Sequence, residues 1–251
     1  MLIIRRSVVT LWMLALGIVP GFAQSWPTGN VTFLVPYAAG GSADIVARLI
    51  GQKLQERIGR PVVIDNRPGG SEMIVTEAIA RSEPDGQTIG ILSNAIAINE
   101  TLVPNRRFDL DRDISPIARV IELPFALMVH PSVPARSVDE FVKYAKANPG
   151  KLNYGHLGPG SPHFFKMEWF KRNAGISSKR PSSQPDLPTI AEAGFKDFNL
   201  KSWMGIFVRK GTPPEIEQKL ETAVLEALTD PDLKVRLDRL GLDISPMRKD
   251  E

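Results

Sequence analysis

The stretch "VPYAAGGSADIVARL", Val35 to Leu49, joins an apolar run to an amphipathic one through two small residues and two glycines. Backbone N–H groups left free at the start of a helix, together with the helix dipole, favour an anion. Gly40 and Gly41 lack a Cβ and let a ligand approach the backbone. Ser42 is able to cap the helix or to donate to a ligand oxygen. Asp44 falls in the first turn, where a carboxylate complements the dipole. The same spacing also fits a plain tight turn. It is neither the dinucleotide G-x-G-x-x-G nor a Walker loop, so it gives no nucleotide signature.

Two further loops carry similar chemistry. "GHLGPGSPHFF", Gly155 to Phe165, offers Gly158, Gly160 and Ser161 as donors to a second anionic group, or serves as a flexible connection. Two such loops facing each other across a cleft would suit a dicarboxylate. "LSNAIAIN" puts Ser93 and Asn94 at the end of an apolar strand, where open α/β sheets bind ligands, although ordinary turn chemistry accounts for it equally well. The three histidines, His130, His156 and His163, match no familiar zinc spacing. There is no cysteine and no G-x-S-x-G elbow to supply a nucleophile, and no pair of carboxylates on one helical face is evident. Trp203, in "SWMGIF", reads as core.

The elements that must position these loops alternate. Val31–Val35 reads as a buried strand and Ser42–Ile58 as a helix with Ile45, Val46, Leu49, Ile50, Leu54 and Ile58 on one face, stopped by Gly59. "PVVID", a helix over Ser71–Arg81, a turn at Pro84–Gly86 and "QTIGILS" follow. This order implies a parallel sheet with helical crossovers. Further on, Phe125–His130 reads as a strand, Ser137 and Glu140 as a capping box, and "NPGKLNYG" as a turn into a short strand. Phe164–Asn173 suits a helix. Thr212 and Glu215 form a second capping box with Pro213 at the first helical position. Asp230 and Pro231 open a last helix that Gly241 ends. "GISSKRPSSQPDLP", Gly175–Pro188, fits no element and is unusual as a connection in a compact α/β chain.

Composition bounds the setting. Arg5 and Arg6, the apolar run Val8–Val19 and the small residues Gly21 and Ala23 follow the order of a secretory leader, with cleavage expected after Ala23. The apolar run is shorter than the roughly 20 residues a membrane span requires. The formal charge of +3 includes those two arginines, and no basic run suggests nucleic acid. Without cysteine, an exported chain is held by its core alone. A hydrophobic share of 43% in 251 residues suffices for one large or two small domains.

Taken together, "WPTGNVTFLVPYAAGGSADIVARLIGQKLQERIGRPVVIDNRPGG", "EAIARSEPDGQTIGILS", "HPSVPARSVDEFVKYAKANPGKLNYG", "DLPTIAEAGF" and "SWMGIFVRKGTPPEIEQKL" resemble the Bug family, the periplasmic substrate-binding receptors of tripartite tricarboxylate transporters. The resemblance runs in order from Trp26 to Gly241. It implies an α/β, periplasmic-binding-protein-like fold with two parallel or mixed-sheet lobes and a hinge. It implies a receptor, not an enzyme, that needs no cofactor or metal, binds a small organic acid and delivers it to membrane permease subunits. Carried onto this chain, the ligand-binding residues are Tyr37, Ala39, Gly40, Gly41, Ser42 and Asp44, facing Gly158, Gly160, Ser161 and His163, with Ser93 and Asn94 alongside. The expected organisation is a signal peptide over 1–23, a first lobe over 24–121, a second lobe over 122–205 and C-terminal helices over 206–251 returning to the first lobe. The chain departs from the family pattern after Ile176, where several alternating elements are missing, and again near its end. The second lobe is therefore expected to be incomplete. The alternative is a truncated descendant that no longer binds solute and acts as an interaction or regulatory protein, or has no function.

Overall fold

The computed structural model describes residues 26–103, 105–157, 161–173 and 202–250. The expected leader, the tract Gly175–Pro188 and the glycines Gly158 and Gly160 lie outside the described residues.

Six strands form one sheet in the order β2-β1-β3-β5-β4-β6. These are β1 Val31–Val35, β2 Val62–Asn66, β3 Thr88–Ser93, β4 Ile114–Leu123, β5 Ser202–Arg209 and β6 Asp243–Arg248. Strands β1, β2 and β3 are parallel, as the strand–helix alternation requires, while β5 runs antiparallel to both β3 and β4, and β6 antiparallel to β4.

The pleat sorts side chains to two faces. Phe33, Val35, Ile89, Ile91, Met204, Ile206 and Val208 point to one face. They pack there against helix α1, Ser42–Ile58, and against α7, Pro214–Leu228, and α8, Pro231–Arg239. Leu34, Leu92, Ile114 and Phe207 point to the other, against α2, Met73–Ala80, and α3, Ala95–Leu102, with Leu110 of the short α4, Leu110–Asp113, at the margin. Val46, Ile50 and Leu54 of α1 are fully buried, as the periodicity predicts, while Ile45, Leu49 and Ile58 sit at the margin. Gly90 fixes the spacing of α2 on the sheet. A Cβ there would stand 2.4 Å from Cδ1 of Ile79.

Several termini follow the sequence reading. Gly59 ends α1 in the left-handed conformation, and the Asp230 side chain accepts from the N–H groups of Asp232 and Leu233 at the start of α8. The Ser137 hydroxyl accepts from Glu140 N–H at the start of α5, Val138–Ala147. The second expected box does not form. Thr212 turns its hydroxyl back to donate to the Arg209 carbonyl, and α7 begins at Pro214 with Pro213 as the extended residue before it. The helix expected from Ser71 is split into a 3₁₀ turn over Gly70–Glu72 and α2.

Strands β4 and β5 escape the sequence reading, and the boundaries expected at 121 and 205 fall inside them. Pro116 and Arg119 obscure the alternation of β4, and its register shifts on either side of Ala118. The chain leaves the sheet at Leu123 and re-enters at Ser202, which pair with each other. Between them lie α5 and α6, Pro162–Asn173, which pack through Phe141, Val142, Met167 and Phe170 with Leu127. Phe125–His130 and Lys151–His156 are irregular where strands were expected. A strand exists only by pairing, and no described strand lies beside them.

Candidate functional site

The carboxyl ends of β1, β2 and β3 share one edge of the sheet with Leu123 and Ser202. At this edge the loop Ala38–Ser42 is exposed. Gly40 adopts φ +86, a conformation that suits glycine, and its missing Cβ would meet nothing within 4 Å, so the requirement there is conformational. Gly41 is the extended N-cap of α1 and offers no side chain to cap it. Ser42 is the first helical residue, as the expected span has it, and not the cap, and its backbone N–H belongs to the first turn, whose N–H groups have no partner within the helix.

Asp44 faces inward. It is 2% exposed, and its Oδ2 accepts from Gly40 N–H at 2.9 Å and Arg48 Nε at 2.9 Å, while Oδ1 accepts from Asn66 Nδ2 at 3.0 Å. Asn66 also donates to the Tyr37 carbonyl. Burial opposes ionisation of Asp44, but the hydrogen bonds from Arg48, Gly40 and Asn66 outweigh it and hold the carboxyl below its usual range. Asp44 is thus the brace that shapes the loop.

Tyr37 and Ser93 are drawn together by a residue the sequence reading passed over. Glu72 is 1% exposed, and its Oε1 accepts from Tyr37 Oη at 2.6 Å and Ser93 Oγ at 2.5 Å, its Oε2 from Ser93 N–H at 2.8 Å. The chain reaches this position through four successive positive φ angles at Gly69, Gly70, Ser71 and Glu72. For Ser71 and Glu72 this conformation costs about 1–2 kcal/mol each. Asn99 Nδ2 supports the turn by donating to the Ser71 carbonyl. Burial raises the pKa of Glu72, against the lowering effect of its donors, and burial with the neighbouring Glu72 charge raises that of Tyr37. The signal that would have found Glu72 is the pair Gly69–Gly70, which announces a turn with unusual backbone after β2.

Asn94 accepts from the Ser202 hydroxyl at 2.8 Å and so ties the end of β3 to the start of β5. Ser161 and His163 belong to the start of α6. The Ser161 hydroxyl accepts from Phe164 N–H, and the His163 ring meets Phe125 edge-on at 4.7 Å. Ala39, Gly40, Gly41 and Ser42 thus present backbone at the edge, Tyr37, Asp44, Ser93 and Asn94 are engaged internally, and Ser161 and His163 lie on the inserted segment. Beside them Lys166, buried over the Phe125 ring at 3.5 Å, has its pKa lowered to about 7 by burial. Among the described residues no group of His, Asp and Glu could hold a metal ion, and no helix is long and apolar enough to cross a membrane.

A family model described as tripartite tricarboxylate transporter family receptor matches residues 46–180 and 174–251. Its two segments meet where the sequence departs from the family pattern. A UPF0065 protein from the tcbD-tcbE intergenic region of Pseudomonas sp. strain P51 is 27% identical, covering 87% of this chain and 80% of its own. That alignment runs over 267 positions, more than the chain possesses, so it opens gaps here. Among solved structures, MatC from Rhodopseudomonas palustris with bound malate superposes with a TM-score of 0.80 at 28% identity, covering 87% of this chain and 91% of its own. Rpa4515 of the same organism, with adipate, gives 0.82 at 28% identity, covering 90% and 91%.

Proposed function

The chain belongs to the receptor family of tripartite tricarboxylate transporters, and on that premise we propose that it captures a small carboxylate outside the cytoplasm and delivers it to membrane permease subunits. The observation that carries this reading is the exposed loop Ala38–Ser42 at the start of a 17-residue helix, with the Asp44 charge turned inward and paired. Gly40 N–H is given to Asp44 and Gly41 N–H to the Ala38 carbonyl, so it is the other backbone N–H groups of the loop and first helical turn that the edge presents, without a competing surface carboxylate. Malate and adipate, held by two similar structures, are both dicarboxylates.

In this reading the insert between Leu123 and Ser202 forms a second lobe, and Gly158, Gly160, Ser161 and His163 close on the second carboxylate. The lobes divide where the chain leaves β4 after Leu123 and returns to β5 at Ser202, close to the boundaries expected at 121 and 205, and the leader is removed after Ala23. Solute meets Ala39, Gly40, Gly41 and Ser42 first. No catalytic step is assigned to any residue.

Calorimetric titration of the mature chain with malate, adipate and tricarboxylates tests the proposal. A ligand that binds only the folded state must also raise the unfolding temperature, by about 2.7 kcal/mol of stability at a hundred times its Kd. Binding with a matching thermal shift supports the receptor reading. The gaps that relatives open in this chain favour a second one, in which a shortened second lobe no longer captures solute. Absence of both heat and thermal shift with every acid at millimolar concentration supports that second reading and overturns the first.

A further inference from the structure

We propose that Tyr37 Oη, Ser93 Oγ and the Ser93 N–H form a carboxylate-recognition corner whose resident occupant is the protein's own Glu72. Three observations converge. The three donors meet one carboxylate at 2.5–2.8 Å, two hydroxyls on one oxygen and a backbone N–H on the other. This is the donor set a free carboxylate would require in a site shielded from water. Second, Tyr37 lies two residues past the end of β1 and Ser93 ends β3, at the edge that carries the exposed glycine loop, so the corner adjoins the proposed capture surface. Third, the backbone takes left-handed conformations at two non-glycine residues, Ser71 and Glu72, to bring the carboxylate there. Chain strain of this kind persists only where surrounding contacts over-determine it.

Glu72 is therefore an internal stand-in for an acid. While it is seated, a solute finds Tyr37 and Ser93 already committed and is held by the loop backbone without them. The side chain sets which acids this receptor favours, and it weakens binding of those that would reach the corner. This meaning for capture rests on the receptor reading above. The occupancy of the corner does not.

The experiment replaces the occupant. Glu72→Gly suits the φ of +76 and vacates three donors. In the full mature chain its unfolding temperature is followed with sodium acetate and, at equal ionic strength, sodium chloride. We expect saturable stabilisation of Glu72→Gly by acetate alone, none for the unsubstituted protein, and loss of the effect when Ser93→Ala is added. Glu72→Ala, tested the same way, covers failure of the glycine variant to fold. Malate is titrated in parallel, and Glu72→Gly should bind it at least about tenfold more tightly, the worth of one charge-assisted hydrogen bond. Acetate that stabilises neither variant beyond chloride, or that stabilises the unsubstituted protein equally, overturns the proposal. If the unsubstituted protein ignores malate, adipate and the tricarboxylates alike while Glu72→Gly responds to acetate, the receptor reading fails and the corner stands. If it binds malate and the variants ignore acetate, the corner fails and the receptor stands.

Discussion

Asp44→Ala is the sharpest probe of how the exposed loop keeps its shape. The carboxylate accepts three hydrogen bonds, from Gly40 N–H, Arg48 Nε and Asn66 Nδ2. Bonds to a charged group are worth about 1.5–3 kcal/mol each when buried. Arg48 has a side chain 53% exposed, so its share falls below about 1 kcal/mol by screening. Gly40 is exposed, and water replaces part of its lost bond. Asn66 keeps its second partner, the Tyr37 carbonyl. Loss of a first-turn carboxylate adds a few tenths of a kcal/mol. The expected destabilisation is about 2–3 kcal/mol. Urea unfolding should register it as a lowered midpoint at constant slope, with faster amide exchange at Gly40. The pH dependence gives an independent check. Because the folded pKa lies below the usual value of 3.8, the contribution is complete above that value and is lost as the pH falls through the folded pKa. Asp44→Asn should lack this acid limb. A change under about 0.5 kcal/mol with unaltered exchange at Gly40 would refute the brace.

Other perturbations read different parts of the molecule. Gly90→Ala forces a Cβ against Ile79 and should cost about 1–3 kcal/mol by overpacking, with Ile79→Ala in the same chain recovering part of the loss in denaturant unfolding. Asp230→Ala removes the cap of α8 together with the ion pair to Lys53, and about 1 kcal/mol of stability should go with it in the same assay. Lys166 has a folded pKa lowered to about 7, so the unfolded chain binds more protons between there and the usual 10.5. Stability of the inserted segment should therefore rise with pH across that window, and Lys166→Met should flatten the slope measured by thermal unfolding.

How much was legible in the sequence depended on the range of the cause. Helix α1 was readable to the residue, because its apolar period, the glycine pair before it and Gly59 after it are all local. The cap at Asp230 was readable for the same reason. Parallel pairing of β1, β2 and β3 followed from the alternation of elements. The Glu72 corner was hidden because it joins residues 21 and 35 positions apart through a turn whose conformation two of its residues resist. Thr212 misled because its pattern matched a cap, while its hydroxyl takes the equally local alternative of donating to the carbonyl three residues back, at Arg209. Strand β5 was missed because its place depends on partners far away in sequence. Tyr37, Asp44, Ser93 and Asn94 were expected to bind ligand, and in the structure their polar atoms bond within the protein and hold the edge together.

The central seat of β5 also orders events in time. Strands β1, β2 and β3 can pair as soon as they have been made, but β4 has only β5 and β6 for neighbours, and both come later in the chain. The bond that ties the start of β5 to the end of β3 spans 108 residues. Closing so long a loop is slow compared with local pairing. Until Ser202–Arg209 arrives, β3 and β4 keep open edges, which are templates for pairing with other chains. The join of β3 to β4 thus waits for β5, and the sheet is completed only when β6, Asp243–Arg248, has been made, so its open strands stay uncovered until nearly the whole chain exists.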